Sequence, residues 1–487
     1  MRVCIPKTVY LLLLIVLVSY PFALAGWSTP MRISERGGDW YPQIIAQGET
    51  LHVVYNNGIG YHKTCYVRSN DGGITWSQHI ALTGRDGTTD FPRILRWNNK
   101  VMALWRECFN LGNNRANIGY AISNDDGLTW SDPRYVFANN WSNIYAFAAS
   151  SFDSLVNIVL MGRVGQDDAV CRVRSTSFGT SWNSWQRMFN VSQHALPDQS
   201  EGGTSTYFVW DGCIDTSLTW EIRTVYSTDG GNNWSSNMLL SERDDYPSES
   251  PAIYANSSNV VCTWMDFKYS PNFDTGDILF RRSTDYGTTW SSEQQITFNH
   301  FALRSDIVSA GDTIVIAWED ERLVGSNHGS IYATRSTDGG IIWDEPVWID
   351  NDYNNSYNPS LAMANGHVYM VWFDWIPPDS AGLYFSRWDP EPDIIHENDL
   401  PSDISVSAYP NPFNSSTSIG YDLPKASDIT LAIFDILGRK VATLVDGHQS
   451  SGHHEVIWNA GAYSSGIYFA RASGGNNSSV IKLIYLK

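Results

Sequence analysis

Fourteen residues of this 487-residue chain carry groups able to do chemistry and fall at equivalent places in a recurring unit. They are Asp39, Tyr41, Asp90, Arg93, Arg106, Glu107, Asp211, Glu249, Asp266, Arg304, Glu319, Asp320, Arg322 and Asp374. A guanidinium fork grips a carboxylate through two parallel hydrogen bonds, so Arg93, Arg106, Arg304 and Arg322 are candidates for holding an anionic ligand. Carboxylates on an aromatic rim suit sugars. The competing reading is that these arginines only pair with neighbouring acids, as the run Glu319-Asp320-Glu321-Arg322 suggests. No C-x-x-C, H-E-x-x-H or histidine cluster occurs, so a zinc or redox site is unsupported. Asp350-Asn351-Asp352-Tyr353-Asn354 has oxygens spaced for calcium but lacks the glycine and closing Glu of a dedicated loop, and no metal or other cofactor is expected.

The elements that must position these groups come from a repeat. An octapeptide S-x-D-x-G-x-T-W stands at 69–76, 123–130 and 283–290, with looser copies at 227–234 and 336–343. A further copy, at 175–182, has Ser177 in place of the Asp. The closing Trp residues, Trp182 included, are 52 to 56 residues apart, which means a repeat architecture. Within the copies Asp71, Asp125, Asp229, Asp285 and Asp338 can accept N–H bonds from their own turns, and Gly supplies a left-handed position. Trp76, Trp130, Trp234, Trp290 and Trp343 can then fill seams between sheets. These residues are read as structural.

Around each octapeptide the same strands recur. A short run across a Pro, such as Tyr41-Pro42-Gln43-Ile44, precedes an apolar run ending in an aromatic, such as Val101 to Trp105 or Val260 to Trp264. A third strand leads into the octapeptide and a fourth follows it. Four antiparallel strands per repeat predict an all-β propeller of seven blades, with six as the alternative. The seventh unit, ending Leu383 to Trp388, lacks an octapeptide and a fourth strand. Met31-Arg32-Ile33 resembles the segments that follow the octapeptides, so it is expected to complete the last blade and leave no open edge. The octapeptide turns mark one face. The connections before strand one and after strand two open on the other, and the fourteen residues project there.

The 32 Lys and Arg against 51 Asp and Glu give a net charge of −19, which argues against nucleic acid as a partner. Residues 1–25 read as an export signal: Arg2 and Lys7, an apolar Val9 to Val18, and Ala23-Leu24-Ala25 before the cut. No later segment of the mature chain is apolar enough to span a membrane as a helix. The remaining five cysteines are an odd, irregular set and form no disulfide framework, and Cys262 belongs to a core strand. The propeller is placed at 26–390, an acidic, Pro-containing linker at 391–404, and a small Ig-like β-sandwich at 405–487.

Two resemblances follow from these residues. The octapeptide resembles the Asp-box, or BNR repeat, of the sialidase (neuraminidase) superfamily over most of 26–390. Tyr409-Pro410-Asn411-Pro412-Phe413-Asn414, Tyr421-Asp422-Leu423-Pro424, Leu437-Gly438-Arg439 and Gly466-Ile467-Tyr468 together resemble the C-terminal sorting domain of the type IX secretion system. The second implies contact with that machinery and a secreted or cell-surface location in a Gram-negative bacterium. The first implies, for an enzyme, an arginine triad from Arg93, Arg304 and Arg322, with Asp39 and Tyr41 as further catalytic candidates. The superfamily's [FY]-R-I-P motif is matched imperfectly by Phe91-Pro92-Arg93-Ile94-Leu95. The residues Asp90, Arg106, Glu107, Asp211, Glu249, Asp266, Glu319, Asp320 and Asp374 are expected to bind ligand. Because many such propellers are not enzymes, the leading expectation is binding of an extracellular glycan or glycoprotein. A sialidase-like hydrolase and a protein-interaction platform are the alternatives.

Overall fold

The computed structural model describes residues 26–34, 39–58, 62–83, 88–109, 115–137, 141–142, 144–191, 197–213, 219–270, 275–322, 329–350, 355–376, 380–389, 404–450, 452–474 and 477–487. The expected signal segment, nearly all of the linker and residues 351–354 of the acidic stretch lie outside them. The described residues contain no helix, and they divide into two compact units, up to Pro390 and from Glu391.

The described residues of the first unit form seven antiparallel sheets, six of them built from consecutive strands. Their first strands are Asp39–Gln47, Thr88–Trp97, Ile144–Phe152, Pro197–Gly202, Ser248–Asn256, Ala302–Ala310 and Asn355–Ala364. Each first strand contacts the first strands of the sheets before and after it, and Asn355–Ala364 returns to Asp39–Gln47, so these strands ring a central channel. The seventh sheet is closed from the other end of the chain. Met31–Arg32 pairs with Ser380–Trp388, Met31 opposite Phe385 and Arg32 opposite Tyr384, as its likeness to the segments after the octapeptides predicts.

A first strand is a sheet edge, and its inward N–H groups have no strand to meet. Side chains of the preceding sheet supply the acceptors. Gln43 Oε1 accepts from Ile94 N–H at 2.8 Å, Asp198 Oδ2 from Ile253 at 2.9 Å, and Ser200 Oγ from Ala255 at 2.9 Å. Asp306 Oδ2 accepts from Leu361 at 2.7 Å, and Ser360 Oγ from Ile44 at 3.4 Å. The last of these crosses the seam between the seventh sheet and the first.

Each octapeptide ties its own sheet and caps the one before. In the first, Ser69 Oγ donates to Asp71 Oδ1 at 2.7 Å and accepts from Gly73 N–H at 2.9 Å, while Thr75 N–H donates to Asp71 Oδ1 at 2.9 Å. Asp338 accepts in the same way from Ile342 N–H at 2.9 Å. Gly72 N–H donates to Glu49 O at 2.9 Å, which puts the octapeptide beside the turn between strands one and two. Ser177 accepts Ser181 N–H at 3.1 Å where the other copies use a carboxylate.

The octapeptide Trp reaches back to the previous sheet, as expected. Trp130 meets Tyr66 edge-on at 4.7 Å, Trp76 meets Phe385 at 5.1 Å, and Trp343 meets Phe280 at 5.2 Å. Trp234 packs against the cluster that holds Val159 and Val170 of the sheet before it, and Trp290 against the cluster that holds Tyr207 and Val209. Their indole N–H groups stay within the turn: Trp234 donates to Gly231 O and Trp290 to Gly287 O, both at 3.2 Å. In Trp76, Trp234 and Trp290 the ring thus fills a seam while its one polar atom is satisfied locally.

The second unit packs a three-stranded sheet (Ser405–Tyr409, Ser416–Leu423, Gly452–Asn459) and a four-stranded one (Ser427–Asp435, Lys440–Gln449, Gly466–Gly474, Asn477–Tyr485) around Ile419, Leu431, Trp458 and Leu483. Its Pro-Asn-Pro-Phe run has a mechanical part. Asn411 Oδ1 accepts Ile484 N–H at 2.9 Å and its Nδ2 donates to Lys482 O at 2.7 Å, so the side chain stands in for a strand partner. Phe413 is buried against Trp458 and Tyr485 at 5.6 and 5.2 Å. Cys108, Cys171 and Cys262 are free thiols, and Cys262 is buried in its core strand.

Two outcomes follow. At Gly127 the backbone is left-handed (φ +83°), and an added Cβ would run into Tyr66 Oη. Gly127→Ala should therefore lower stability by roughly 2–3 kcal/mol, read as a fall in the urea midpoint with unchanged slope. Hydrogen bonds hold Asp125, Asp229 and Asp285 down to about 2; the largest come from the Thr129 hydroxyl, the Asn233 backbone and the Thr289 hydroxyl respectively. A depressed carboxylate stabilises the fold above its unfolded value, near 3.8, and that contribution is lost as pH falls toward 2. The thermal midpoint should hold from neutrality to about pH 5 and then drop in acid, and the triple Asn variant should show a shallower drop.

Candidate functional site

Strand two of each sheet ends on the ligand-facing side, and its last residues have repeated tasks. Trp105, Trp264 and Trp318 are fully buried, and each indole N–H needs an acceptor. The carboxylate two residues on supplies it: Glu107 Oε2, Asp266 Oδ2 and Asp320 Oδ2, each at 3.1 Å. Asp374 stands in the same place after Trp372, is fully buried, and accepts from Ser356 Oγ at 3.5 Å. The residue directly after the Trp reaches the next sheet's first strand. Arg106 donates to Ile144 O and Tyr145 O at 2.9 and 2.6 Å, Asp211 Oδ2 accepts Ser250 N–H at 2.9 Å, and Glu319 Oε1 accepts Asn358 N–H at 2.6 Å. In the seventh sheet Phe373 does the job by stacking on Trp40 at 4.5 Å.

Those contacts hold a set of bulges. The ladder slips between Trp40 and Gln43, Asp90 and Arg93, Glu249 and Ala252, Ala302 and Ser305, and Tyr357 and Ser360. A sixth slip lies between Ile144 and Ala146, and in four of the six a left-handed residue precedes a proline: Tyr41-Pro42, Phe91-Pro92, Ser250-Pro251 and Asn358-Pro359, with φ of 52°, 48°, 54° and 53°. Proline has no N–H to lose from the ladder, so the bulge is cheap there, and it re-aims the flanking side chains. They turn into the channel.

The result is a cavity of about 190 Å³ at the mouth of the channel, lined from all seven first strands. It has two tiers, because side chains two apart on a strand share a face. Nearer the strand starts lie Tyr41, Phe91, Ser250, Arg304 and Asn358; deeper lie Gln43, Arg93, Asp198, Asp306 and Ser360. The Tyr41 and Phe91 rings meet at 5.4 Å. The Arg304 side chain is 52% exposed, with Nη1 3.6 Å from Glu319 Oε2. Arg93 Nη1 donates to Pro92 O at 3.1 Å, while its buried Nε has no partner. Burial lowers the Arg93 pKa against the charges of Asp198 and Asp306. Burial also raises Asp198 against the pull of Arg93, and burial followed by the Asp198 charge pushes Asp306 up to about 7.

Of the sequence-derived site residues, the cavity brings together Tyr41, Arg93 and Arg304. Glu249 is raised by burial, with Arg304 opposing. Arg106 and Arg322 are not among the residues that line this cavity. Arg106 Nε donates to Asp90 Oδ1 at 2.6 Å and its guanidinium lies 5.0 Å over the Phe91 ring. Arg322 is bidentate on Asp320 at 2.7 and 2.6 Å and stacks 4.0 Å from the Tyr332 ring. Glu107, Asp211, Asp266, Glu319, Asp320 and Asp374 have the internal partners given above and are likewise absent from the lining. Asp39 pairs with Asn57 through its backbone, and its side chain is outside the described atoms. Asp198 and Asp306 escaped the sequence reading because they sit inside first strands rather than at strand ends. For Asp306 the available signal was its place just past the bulge between Ala302 and Ser305; the ladder of Asp198 runs without a slip. Among the described residues no His, Cys, Asp and Glu group is arranged to hold a metal, and Asp350 accepts Ile331 N–H at 3.0 Å.

No curated protein matches the chain in sequence. Among solved structures, an ulvan lyase of the polysaccharide lyase family PL25 superposes with a TM-score of 0.54 at 11% identity, covering 73% of this chain and 95% of its own. The same lyase bound to -[GlcA(1-4)Rha3S]- gives 0.53. Trypanosoma rangeli sialidase with the inhibitor DANA gives 0.44 at 12% identity, over 82% of this chain and 84% of its own. At these identities the likeness is one of fold. Residues 407–486 match the family model of the secretion system C-terminal sorting domain. The chain thus carries a propeller that shares its fold with the ulvan lyase, followed by a C-terminal sorting domain that indicates export by the type IX system.

Proposed function

We propose that this is a secreted or surface-displayed propeller of a Gram-negative bacterium that binds an acidic extracellular glycan in its central cavity. The observation that carries the reading is the two-tier lining: Tyr41, Phe91 and the exposed Arg304 above a polar floor of Gln43, Arg93, Asp198, Asp306 and Ser360. A sugar ring has an apolar face and a hydroxyl edge, and an aromatic wall over a polar base meets both. Arg304 lies where an anionic substituent enters. The ulvan lyase likeness supports sulfated or uronic-acid polysaccharides as the first class to examine. The sorting domain supports an extracellular location and the type IX machinery as partner. A second reading, a sialidase-like hydrolase, is favoured by the shared cavity of Tyr41, Arg93 and Arg304.

Calorimetry of the full chain against uronic-acid, sialylated and neutral oligosaccharides, with mass spectrometry of the recovered sugar, separates these readings. Binding of an acidic saccharide with unchanged mass is the expected outcome. Cleaved product whose summed mass includes one added water would establish the hydrolase instead, and no binding by any saccharide would overturn both. Arg304→Ala should weaken the acidic ligand by about 10-fold or more, the loss of one charge-assisted contact, and leave the thermal midpoint unchanged. Arg106→Ala should do the reverse in kind: it lowers the midpoint, because Asp90 and two carbonyls lose their donor.

A further inference from the structure

The cavity floor holds one guanidinium and two carboxylates that come from three different sheets: Arg93, Asp198 and Asp306. Among the described residues Arg93 forms no ion pair within 4.0 Å, although both carboxylates act on it electrostatically. Each group is therefore held apart from the others. Asp198 Oδ2 is fixed by Ile253 N–H, and the two Asp306 oxygens by Ile307 and Leu361 N–H at 2.9 and 2.7 Å. A carboxylate oxygen has a second lone pair beyond each such bond. The buried Arg93 Nε has a hydrogen to give and nothing to receive it. The floor is thus a gap edged by one unused donor and several unused acceptor sites, too far apart to satisfy one another directly.

A ligand that fills such a gap must accept from a guanidinium and donate to carboxylates from adjacent atoms. A lone anion can accept only, and an ammonium can donate only. Two neighbouring hydroxyls do both, since each has one hydrogen and two lone pairs. We infer that the floor formed by Arg93, Asp198 and Asp306 recognises a vicinal diol of the bound sugar. This rests on the proposed glycan binding and adds to it the chemical class of the deepest sugar unit. Arg304, two residues nearer the mouth than Asp306 on one strand, then meets the anionic group of the same or the next sugar.

The test uses the full chain and a panel of methyl glycosides: glucuronide, galacturonide, sialoside and rhamnoside 3-sulfate. The deoxy and O-methyl analogues of whichever binds follow. Removing either hydroxyl of one adjacent pair should weaken binding at least 10-fold, while removing a hydroxyl outside that pair changes it less than 3-fold. Equal tolerance at every hydroxyl overturns the diol inference but leaves glycan binding intact. If no saccharide in the panel binds, the underlying reading fails as well. Asp198→Asn and Asp306→Asn each keep one oxygen for the inter-sheet N–H of Ile253 or Leu361 but set an NH2 against the N–H of the following residue, so each is expected to fold with a lowered thermal midpoint. Each should weaken the parent sugar by at least 10-fold yet bind the deoxy analogue as the unaltered protein does. Undiminished affinity for the parent sugar in both variants refutes the assignment.

Discussion

The inner rim of the ring sets the constraint on which the rest of this structure depends. Seven sheet edges face one channel, and each presents N–H groups that no strand will take. Left alone, such edges invite pairing with other chains, and buried donors without acceptors cost free energy of about 1–3 kcal/mol each. Gln43, Asp198, Ser200, Asp306 and Ser360 answer this by accepting from the next sheet's edge. The same requirement puts carboxylates in an enclosed place, where burial raises Asp198 and Asp306. A polar, ligand-ready floor is thus a by-product of keeping the ring together.

The sequence displays the fold more openly than the site, for a physical reason. Strands and octapeptides rest on local grammar: Ser69, Asp71 and Gly73 act within five residues of one another, and a period of about 53 residues carries the pattern around. The face on which ligand-type residues project also follows from strand order alone. What order cannot separate is a side chain that turns into the channel from one that turns into its own sheet. Arg304 and Arg106 both stand on the right side, but Arg304 lies within a bulge and lines the cavity, whereas Arg106 meets Asp90 and the carbonyls of Ile144 and Tyr145. The spacing W-x-[DE] in Trp105–Glu107, Trp264–Asp266 and Trp318–Asp320 already announces an indole acceptor. It reads as function only while the Trp is ignored. Asp198 and Asp306 were hidden for the converse reason, since their partners belong to other sheets.

The bulges link these levels. A left-handed residue before proline breaks the ladder at Tyr41, Phe91, Ser250 and Asn358, and the residue after the strand-two Trp of the preceding sheet holds two of those breaks in place. Changes at Asp211 or Glu319 would therefore reach the cavity through backbone geometry, without either residue touching a ligand. Rim aromatics and floor acids are coupled through the same strands, so their spacing is fixed by the scaffold and not by loops.

Sheet seven draws its outer strand from Met31–Arg32 and its other three from residues 355–388. On the ribosome, the opening segment of the first unit therefore has no partner until more than three hundred further residues have been made. The first six sheets can form in order as the nascent chain lengthens, but the seam between the seventh and the first cannot. Apolar surface at Ile33, buried in the finished ring, stays uncovered during that interval. The propeller thus reaches its closed state in one late, long-range step, which makes the whole ring a post-synthetic product.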